Sequence, residues 1–199
     1  IDEMPNLQAV LDPDIGVFTN IGDAHQENFP DLRTKVQEKL KLFTDASLLV
    51  YCRDHELIAQ EINRSHGGRT FNWSMTGEAD LRIVEKSVRG DRTHLKGTFR
   101  GDAVHIDIPF IDEASIENAC QCWALMLELG ISPTVVAERM HNLGPIAMRL
   151  EQLEGANRCT LINDTYNSDI NSLEIALDFL RQQGKHPKRT AIISDIVQS

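Results

Sequence analysis

No run of apolar residues in this 199-residue chain approaches the roughly 18 that a membrane-spanning helix requires. The opening residues, Ile1-Asp2-Glu3-Met4-Pro5, lack a basic stretch followed by an apolar one, so they do not read as a signal peptide. They do not read as a natural start either, and further sequence upstream is expected. Positive charge is scarce: 20 Lys and Arg stand against 30 Asp and Glu, for a net charge of −10. Nucleic-acid binding needs a basic footprint and is not expected. Phosphate binding remains open, because backbone amides and one or two cations can hold a nucleotide locally. The cysteines are only four, Cys52, Cys120, Cys122 and Cys159, and no two form a C-x-x-C pair. They read as reduced core thiols of a cytosolic protein, not as disulfides or a zinc site. Internal repeats and low-complexity segments are absent. So is the Gly-x-x-x-x-Gly-Lys-Ser/Thr loop that cradles nucleotide phosphates, and Gly67-Gly68-Arg69-Thr70 is no substitute for it.

What is present fits a soluble globular protein: 41% hydrophobic and 25% charged residues, in a length sufficient for one or two domains. Ile15 to Ile21 reads as a buried strand, followed by a polar loop from Gly22 to Pro30. Leu32, Val36, Leu40 and Phe43 then recur at helical spacing, with Asp31 as N-cap. Leu48 to Tyr51 predicts a second buried strand, Leu57 to Asn63 a short helix, and Gly67-Gly68 a turn. This alternation indicates a parallel sheet with crossover helices, an α/β fold. The pattern then changes. Leu81 to Val88, Thr93 to Phe99 and Ala103 to Pro109 predict antiparallel strands, with turns at Arg89-Gly90-Asp91 and Arg100-Gly101-Asp102.

Ser115 to Gly130 predicts a helix with Ile116, Ala119, Cys120, Trp123 and Leu127 toward one side and Gly130 as its stop. Cys120 and Cys122, two apart on that helix, point away from each other. Pro133 to Asn142 predicts another helix. Leu143-Gly144-Pro145 punctuates the chain and marks the expected boundary between a domain over residues 1–144 and a second over 145–199. Beyond it, Thr160 to Ile162 predicts a strand ending at Asn163-Asp164. Ser172 to Gln183 predicts a helix, and Thr190 to Ser194 the start of another parallel strand.

In α/β sheets, ligands bind beyond the carboxyl ends of the strands. His25 and Glu27, in the loop after the first strand, are a candidate metal ligand and a nearby carboxylate. On spacing alone, a surface histidine is the better reading. Lys35 and Lys39 lie four apart and share a helix face, which by itself indicates no more than a solvated basic side.

Longer stretches are more specific. Thr19-Asn20-Ile21-Gly22-Asp23-Ala24-His25, then Phe29, then Glu38-Lys39-Leu40-Lys41-Leu42-Phe43, resembles the Mur ligases that build the peptidoglycan stem peptide, and among them the MurF type. The resemblance makes His25 a magnesium ligand and Lys39 the lysine that CO₂ converts to a carbamate. That change turns a cation into an acceptor-only group able to ligate a hard metal. Lys41 departs from the family, which has glutamate there. Ser115-Ile116-Glu117-Asn118-Ala119 resembles the family's adenine-contacting helix start and gives that contact to Asn118. Met148-Arg149-Leu150-Glu151 resembles its G-R-x-E segment, with Arg149 on the phosphates. Asn163-Asp164-Thr165-Tyr166-Asn167 resembles D-D-x-Y-N. There Asp164 would hold the ribose hydroxyls, and Tyr166 and Asn167 would line the cleft. Asp169-Ile170 replaces the family's Asn-Pro.

The resemblance covers almost the whole chain. It implies the back part of a central ATPase domain, with its parallel sheet, helices and small antiparallel sheet, joined to the start of a Rossmann-like C-terminal domain. It implies an ATP- and Mg²⁺-dependent enzyme that joins D-Ala-D-Ala to UDP-MurNAc-tripeptide through an acyl phosphate, with Lys39 and Arg149 as its catalytic residues. As a fragment without a phosphate loop, the isolated chain would be inactive. The wording of Gly22 to Asn28 and Glu38 to Phe43 also resembles ligase halves fused to an alanine racemase, which would lie beyond this chain. A folylpolyglutamate synthetase-like ligase and a noncatalytic binding module of the same fold are the rival readings.

Overall fold

A computed structural model of the chain describes residues 3–22, 28–144, 147–166, 170–183 and 186–193. The chain forms two compact units, Ile1–Leu143 and Gly144–Ser199. The first opens with helix α1 (Glu3–Leu11) and strand β1 (Ile15–Phe18). Helix α2 (Leu32–Leu40) runs into a 3-10 turn at Lys41–Phe43, before β2 (Leu48–Cys52), α3 (Glu56–Ser65) and β3 (Arg69–Ser74). Strands β4 (Leu81–Arg89), β5 (Arg92–Phe99) and β6 (Asp102–Ile108) follow, then helices α4 (Glu113–Glu128) and α5 (Pro133–His141).

The six strands make one sheet in sequence order. The β1–β2, β2–β3 and β3–β4 pairs are parallel, and β4–β5 and β5–β6 antiparallel. The antiparallel strands therefore extend the parallel ones instead of standing apart from them. The β3–β4 junction is short, pairing only Trp73 with Leu81 and Ser74 with Arg82. Asp54 braces the turn that leaves β3, accepting from Ser74 Oγ, Met75 N and Thr76 Oγ1.

Every residue of β2 is buried, because both faces of the sheet are covered. Successive side chains alternate between the faces. Leu48, Val50 and Cys52 join a core with Trp73, Leu95, Ile106 and the α4 residues Ile116, Cys120 and Trp123. Leu49 and Tyr51 join a second core with Phe18, Val36, Leu40, Ile58 and Ile62. Helices α4 and α5 thus cover one face, and α2 and α3 the other. The caps match the sequence chemistry. The Asp31 side chain accepts from Thr34 N, that of Asp112 from Ser115 N and that of Ser132 from Val135 N. Gly130 stops the α4 segment at φ +79°, where a side chain would be strained.

The second unit holds β7 (Glu151–Glu154), β8 (Thr160–Asn163) and α6 (Ile170–Gln182). β7 and β8 pair antiparallel. The parallel strand expected at Thr190 to Ser194 does not form: residues 190–193 have no regular structure, and Ser194 lies outside the described residues. A strand exists only as a member of a ladder, and β-branched composition cannot supply one. Three more expectations need correction. β1 ends at Phe18, not Ile21, and α4 starts two residues before Ser115 because Asp112 is the residue that caps it. Of the cysteines only Cys52 and Cys120 are core residues, while Cys122 and Cys159 are exposed.

Candidate functional site

The carboxyl ends of β1 and β2 carry several buried polar contacts. Gln121 on α4 is 2% exposed, and its Nε2 donates to the carbonyls of Phe18 (3.0 Å) and Thr19 (3.3 Å) where β1 ends. Lys35 on α2 is 4% exposed and donates from Nζ to the Gly22 carbonyl at 2.5 Å. The same ammonium lies 6.0 Å from the centroid of the Phe29 ring. The expected solvated basic face is therefore wrong for Lys35, which has turned inward to a backbone carbonyl.

The three lysines of this helix and its turn differ in their surroundings. Lys35 is buried and bonded. Lys41 pairs with buried Glu38 at 2.6 Å. Lys39 is half-buried and carries no ion pair or side-chain hydrogen bond among the described residues. Carbamylation requires an amine whose lone pair can reach CO₂. On that criterion Lys39 fits and Lys35 does not. His25 and Glu27 lie outside the described residues. Among the described residues no three His, Cys, Asp or Glu side chains come together as a metal cage. A carbamate at Lys39 would itself supply a hard oxygen donor of the kind magnesium prefers.

At the end of β2, His55 Nε2 lies 2.7 Å from Glu117 Oε1. The hydrogen bond to Glu117 raises the His55 pKa against the opposing effect of burial. Burial would raise the Asp54 pKa, but the bonds from Ser74, Thr76 and Met75 outweigh it and hold the carboxyl below its usual range. Asn118, beside Glu117, is exposed in the second turn of α4 and has no side-chain partner among the described residues. Its amide is thus open to a ligand. Burial pushes the Cys52 thiol up to about 12 and the Cys120 thiol higher still, so neither is a nucleophile at neutral pH.

In the second unit, Arg149, Asp164 and Tyr166 come together at one end of the β7–β8 hairpin. The Arg149 guanidinium stacks over the Tyr166 ring, 4.4 Å from its centroid. Asp164 Oδ1 accepts from Leu150 N at 3.1 Å, and Glu151 Oε2 accepts from Met148 N at 3.0 Å. The Tyr166 amide donates to the Met148 carbonyl at 3.2 Å. Met148 (φ 61°) and Leu150 (φ 49°) flank Arg149 in the left-handed region, which non-glycine residues seldom adopt. The two carboxylates hold this turn and leave the arginine exposed. Backbone strain of this kind accumulates at ligand clamps. Asn167 lies outside the described residues. A groove of about 220 Å³ between β8, α6 and residues 190–193 has Asp164 and Thr165 at its rim. Leu161, Leu173, Leu177 and Leu180 line it together with the polar residues Thr160, Ser172 and Thr190.

Two participants escaped the sequence reading. Gln121 left a signal, a polar residue inside the buried stripe of α4. Lys35 left none, because a lysine one turn from another looks the same whether it is solvated or turned inward.

Comparison with known proteins gives this geometry a context. The UDP-N-acetylmuramoyl-tripeptide--D-alanyl-D-alanine ligase of Bacillus subtilis (strain 168) is 25% identical over 199 residues, covering 98% of this chain and 42% of that protein. The chain thus spans less than half the length of this curated relative. The crystal structure of MurF from Acinetobacter baumannii superposes with a TM-score of 0.80 at 19% identity, over 92% of this chain and 40% of that one. MurF ligase from Thermotoga maritima, solved in complex with ADP, gives a TM-score of 0.71 at 16% identity, over 87% and 41%. The profile of the Mur ligase middle domain matches residues 1–126. With that match over most of its length, the chain belongs to the Mur ligase middle-domain family.

Proposed function

We propose that this chain is the nucleotide-handling middle of an ATP-dependent peptide ligase that joins D-Ala-D-Ala to UDP-MurNAc-tripeptide. The observation that carries the reading is the family match, on a fold whose strand ends lead to Lys39, the one lysine of its helix region with an amine suited to carbamylation. Residues 1–144 are then the back part of the ATP-binding domain and 145–199 the start of the C-terminal domain. A cytoplasmic location accords with nucleotide substrates. Among the described residues no helix is long and apolar enough to cross a membrane. The alanine racemase fusion belongs to this proposal on sequence wording alone.

The reaction has two steps. The tripeptide carboxylate attacks the γ-phosphorus of ATP, forming an acyl phosphate and releasing ADP. The amine of D-Ala-D-Ala then adds to the acyl carbon, and the tetrahedral adduct expels phosphate and loses a proton to give the amide. Asn118 presents its open amide to the adenine. Asp164 offers a carboxylate to the ribose hydroxyls beside Tyr166, and Asn167, the other expected cleft residue, lies outside the described residues. Arg149 places its guanidinium on the phosphates and favours the charge that builds as the γ-phosphoryl group moves. His25 and the Lys39 carbamate would hold Mg²⁺, which offsets charge on the phosphates and on the developing oxyanion.

The test is an assay of the complete ligase with ATP and D-Ala-D-Ala, comparing UDP-MurNAc-tripeptide with folate and glutamate as substrates. Phosphate release only with the muramyl substrate is expected. Turnover only with folate would move the protein to the folylpolyglutamate synthetase reading, and turnover with neither to a binding module. The 199-residue chain alone, having no phosphate loop in its sequence, should release none.

Arg149→Ala in the complete ligase should lower kcat/KM by roughly 10- to 150-fold, the equivalent of about 1.5–3 kcal/mol for one charge-assisted contact. Because Arg149 is exposed and its recorded contact among the described residues is the Tyr166 ring, the melting temperature should barely move. Steady-state kinetics alongside thermal melts check both halves. Unchanged kinetics would remove Arg149 from the site.

A further inference from the structure

We infer that His55 and Glu117 are positioning residues of the nucleotide site, forming a proton-dependent tie that sets Asn118 against the end of β2. His55 Nε2 lies 2.7 Å from Glu117 Oε1, across 62 positions of sequence. His55 opens α3 on one face of the sheet, and Glu117 belongs to α4 on the other. The pair therefore joins the two helix layers at the carboxyl end of β2. The inference rests on the ligase reading for what Asn118 binds, and the tie itself stands on geometry.

His55 stands at the N-cap of α3, where Ser, Thr, Asp or Asn would bond a free backbone amide of the first turn. Its side chain makes no such bond. It reaches to α4 instead, so a local contribution to helix stability is given up for a long-range contact. Glu117 and Gln121 lie four apart and share a side of α4. Gln121 holds that side to the end of β1 through the Phe18 and Thr19 carbonyls, and Glu117 holds it to the link after β2. The two ties differ in kind. An amide on two carbonyls does not titrate, whereas an imidazole against a carboxylate does. Asn118 follows Glu117 directly and projects about 100° away around the helix, so the tie holds the helix without occupying that amide.

Charged and titratable groups stand near His55 on each element around it. Glu117 faces it from α4 and Asp54 from the link after β2. Burial acts against the Asp54 charge, but the bonds from Ser74, Thr76 and Met75 hold its carboxyl below the usual range, so that charge is constant near neutrality. The Cys52 thiol on β2, pushed by burial to about 12, stays neutral there. Glu56, the first residue of α3, accepts from Gln60 Nε2. Glu113, one turn before Glu117 on α4, pairs with Lys86 of β4. The bond to Glu117 raises the His55 pKa against the effect of burial. The charged tie is therefore complete below the ordinary histidine value of 6.5 and is lost as pH rises through the raised one.

The experiment uses His55→Gln, whose amide keeps a donor but takes no charge, and Glu117→Gln, which removes the other charge. The first readout is the Kd for ADP in the complete ligase between pH 6 and pH 9. ADP and the other histidines titrate alike in wild type and variant, so the ratio of the two constants isolates the pair. His55→Gln should match wild type at pH 9 and bind roughly three- to fivefold more weakly at pH 6, because a site that is not held in place must be ordered on binding. Glu117→Gln should give the same profile. The loss should appear in the KM for ATP rather than in kcat. The second readout is the carbon-13 titration of the histidine rings in the 199-residue chain. The His55 midpoint should lie above the ordinary value and fall back in Glu117→Gln. In the complete ligase ADP should raise it, by the reciprocity of linkage. A ratio that does not change between pH 6 and pH 9 would overturn the proposal, and so would a variant that fails to fold, since either makes the pair merely structural. A His55 midpoint indifferent to Glu117→Gln would overturn the tie itself. If the wild-type ligase binds no ADP, the nucleotide reading fails, and the ring titration still decides the tie.

Discussion

Trp123→Ala should destabilise the first unit by about 3–5 kcal/mol, the cost of deleting a large side chain from a core that cannot close over the hole. Trp123 is 1% exposed on α4, among Trp73, Leu81, Leu95 and Ile106. The neighbours cannot follow it inward easily, because Gly97 on β5 lies directly beneath the indole. A methyl group added at Gly97 would stand 3.4 Å from the ring and only 2.8 Å from the Arg82 carbonyl. The lack of a side chain at Gly97 leaves the indole its place in this core, and removing the ring opens a void among these residues. Urea unfolding of the 199-residue chain measures the loss. The two tryptophans, Trp73 and Trp123, both belong to the first unit, so the fluorescence of the remaining Trp73 reports that unit alone. A shift in the midpoint with an unchanged slope is expected. A loss below about 1 kcal/mol would mean that this ring does not fill the core as described.

The same residues explain how much of the fold could be read in advance. β2 was legible because five consecutive apolar residues can be satisfied only by burial on both faces. The β4–β5–β6 meander was legible because its two Gly-Asp turns punctuate alternating strands. β3 is harder to read, although Thr70 to Ser74 alternates and places Phe71 and Trp73 on one buried face. The adjacent pair Gly67-Gly68 carries the stronger local signal, that of a turn. α1 left a weaker signal, since only Met4 in it is buried. The antiparallel β7–β8 pairing was illegible, because β7 is Glu-Gln-Leu-Glu, with no apolar face to mark it.

The candidate site was legible as motifs and illegible as contacts. The resemblance to the Mur ligases singles out Lys39, Asn118, Arg149 and Asp164, while periodicity alone puts Lys39 and Asn118 on helices and Asp164 at a strand end. Neither could show that Arg149 stacks on Tyr166, which depends on a turn with two left-handed residues. Nor could they show that His55 meets Glu117, 62 positions apart in sequence, or that Gln121 reaches back to the end of β1. Those contacts arise from the layering of α4 over the sheet, a tertiary property that no local window contains.

Lys39→Ala should lower kcat/KM of the complete ligase by more than about a hundredfold. Even partners one step removed from a metal are worth about 10- to 100-fold, and the carbamate is read as a direct ligand. Its formation is a simple addition. The neutral amine attacks CO₂, a nitrogen–carbon bond forms, and a proton is lost to water, leaving an anion with two acceptor oxygens. The surroundings of Lys39 permit this, since the side chain is half-buried and bonded to nothing else among the described residues. The variant would lack the acceptor but keep the space, so formate or acetate should restore part of the rate. Isotopically labelled bicarbonate gives a direct readout. A carbamate carbon resonance should appear in the wild-type protein, persist in Lys35→Met and vanish in Lys39→Ala. If the resonance instead vanishes with Lys35→Met and Lys39→Ala is silent in both assays, the modified residue sits one helical turn earlier, and the buried donor to Gly22 is the carbamate nitrogen rather than an ammonium.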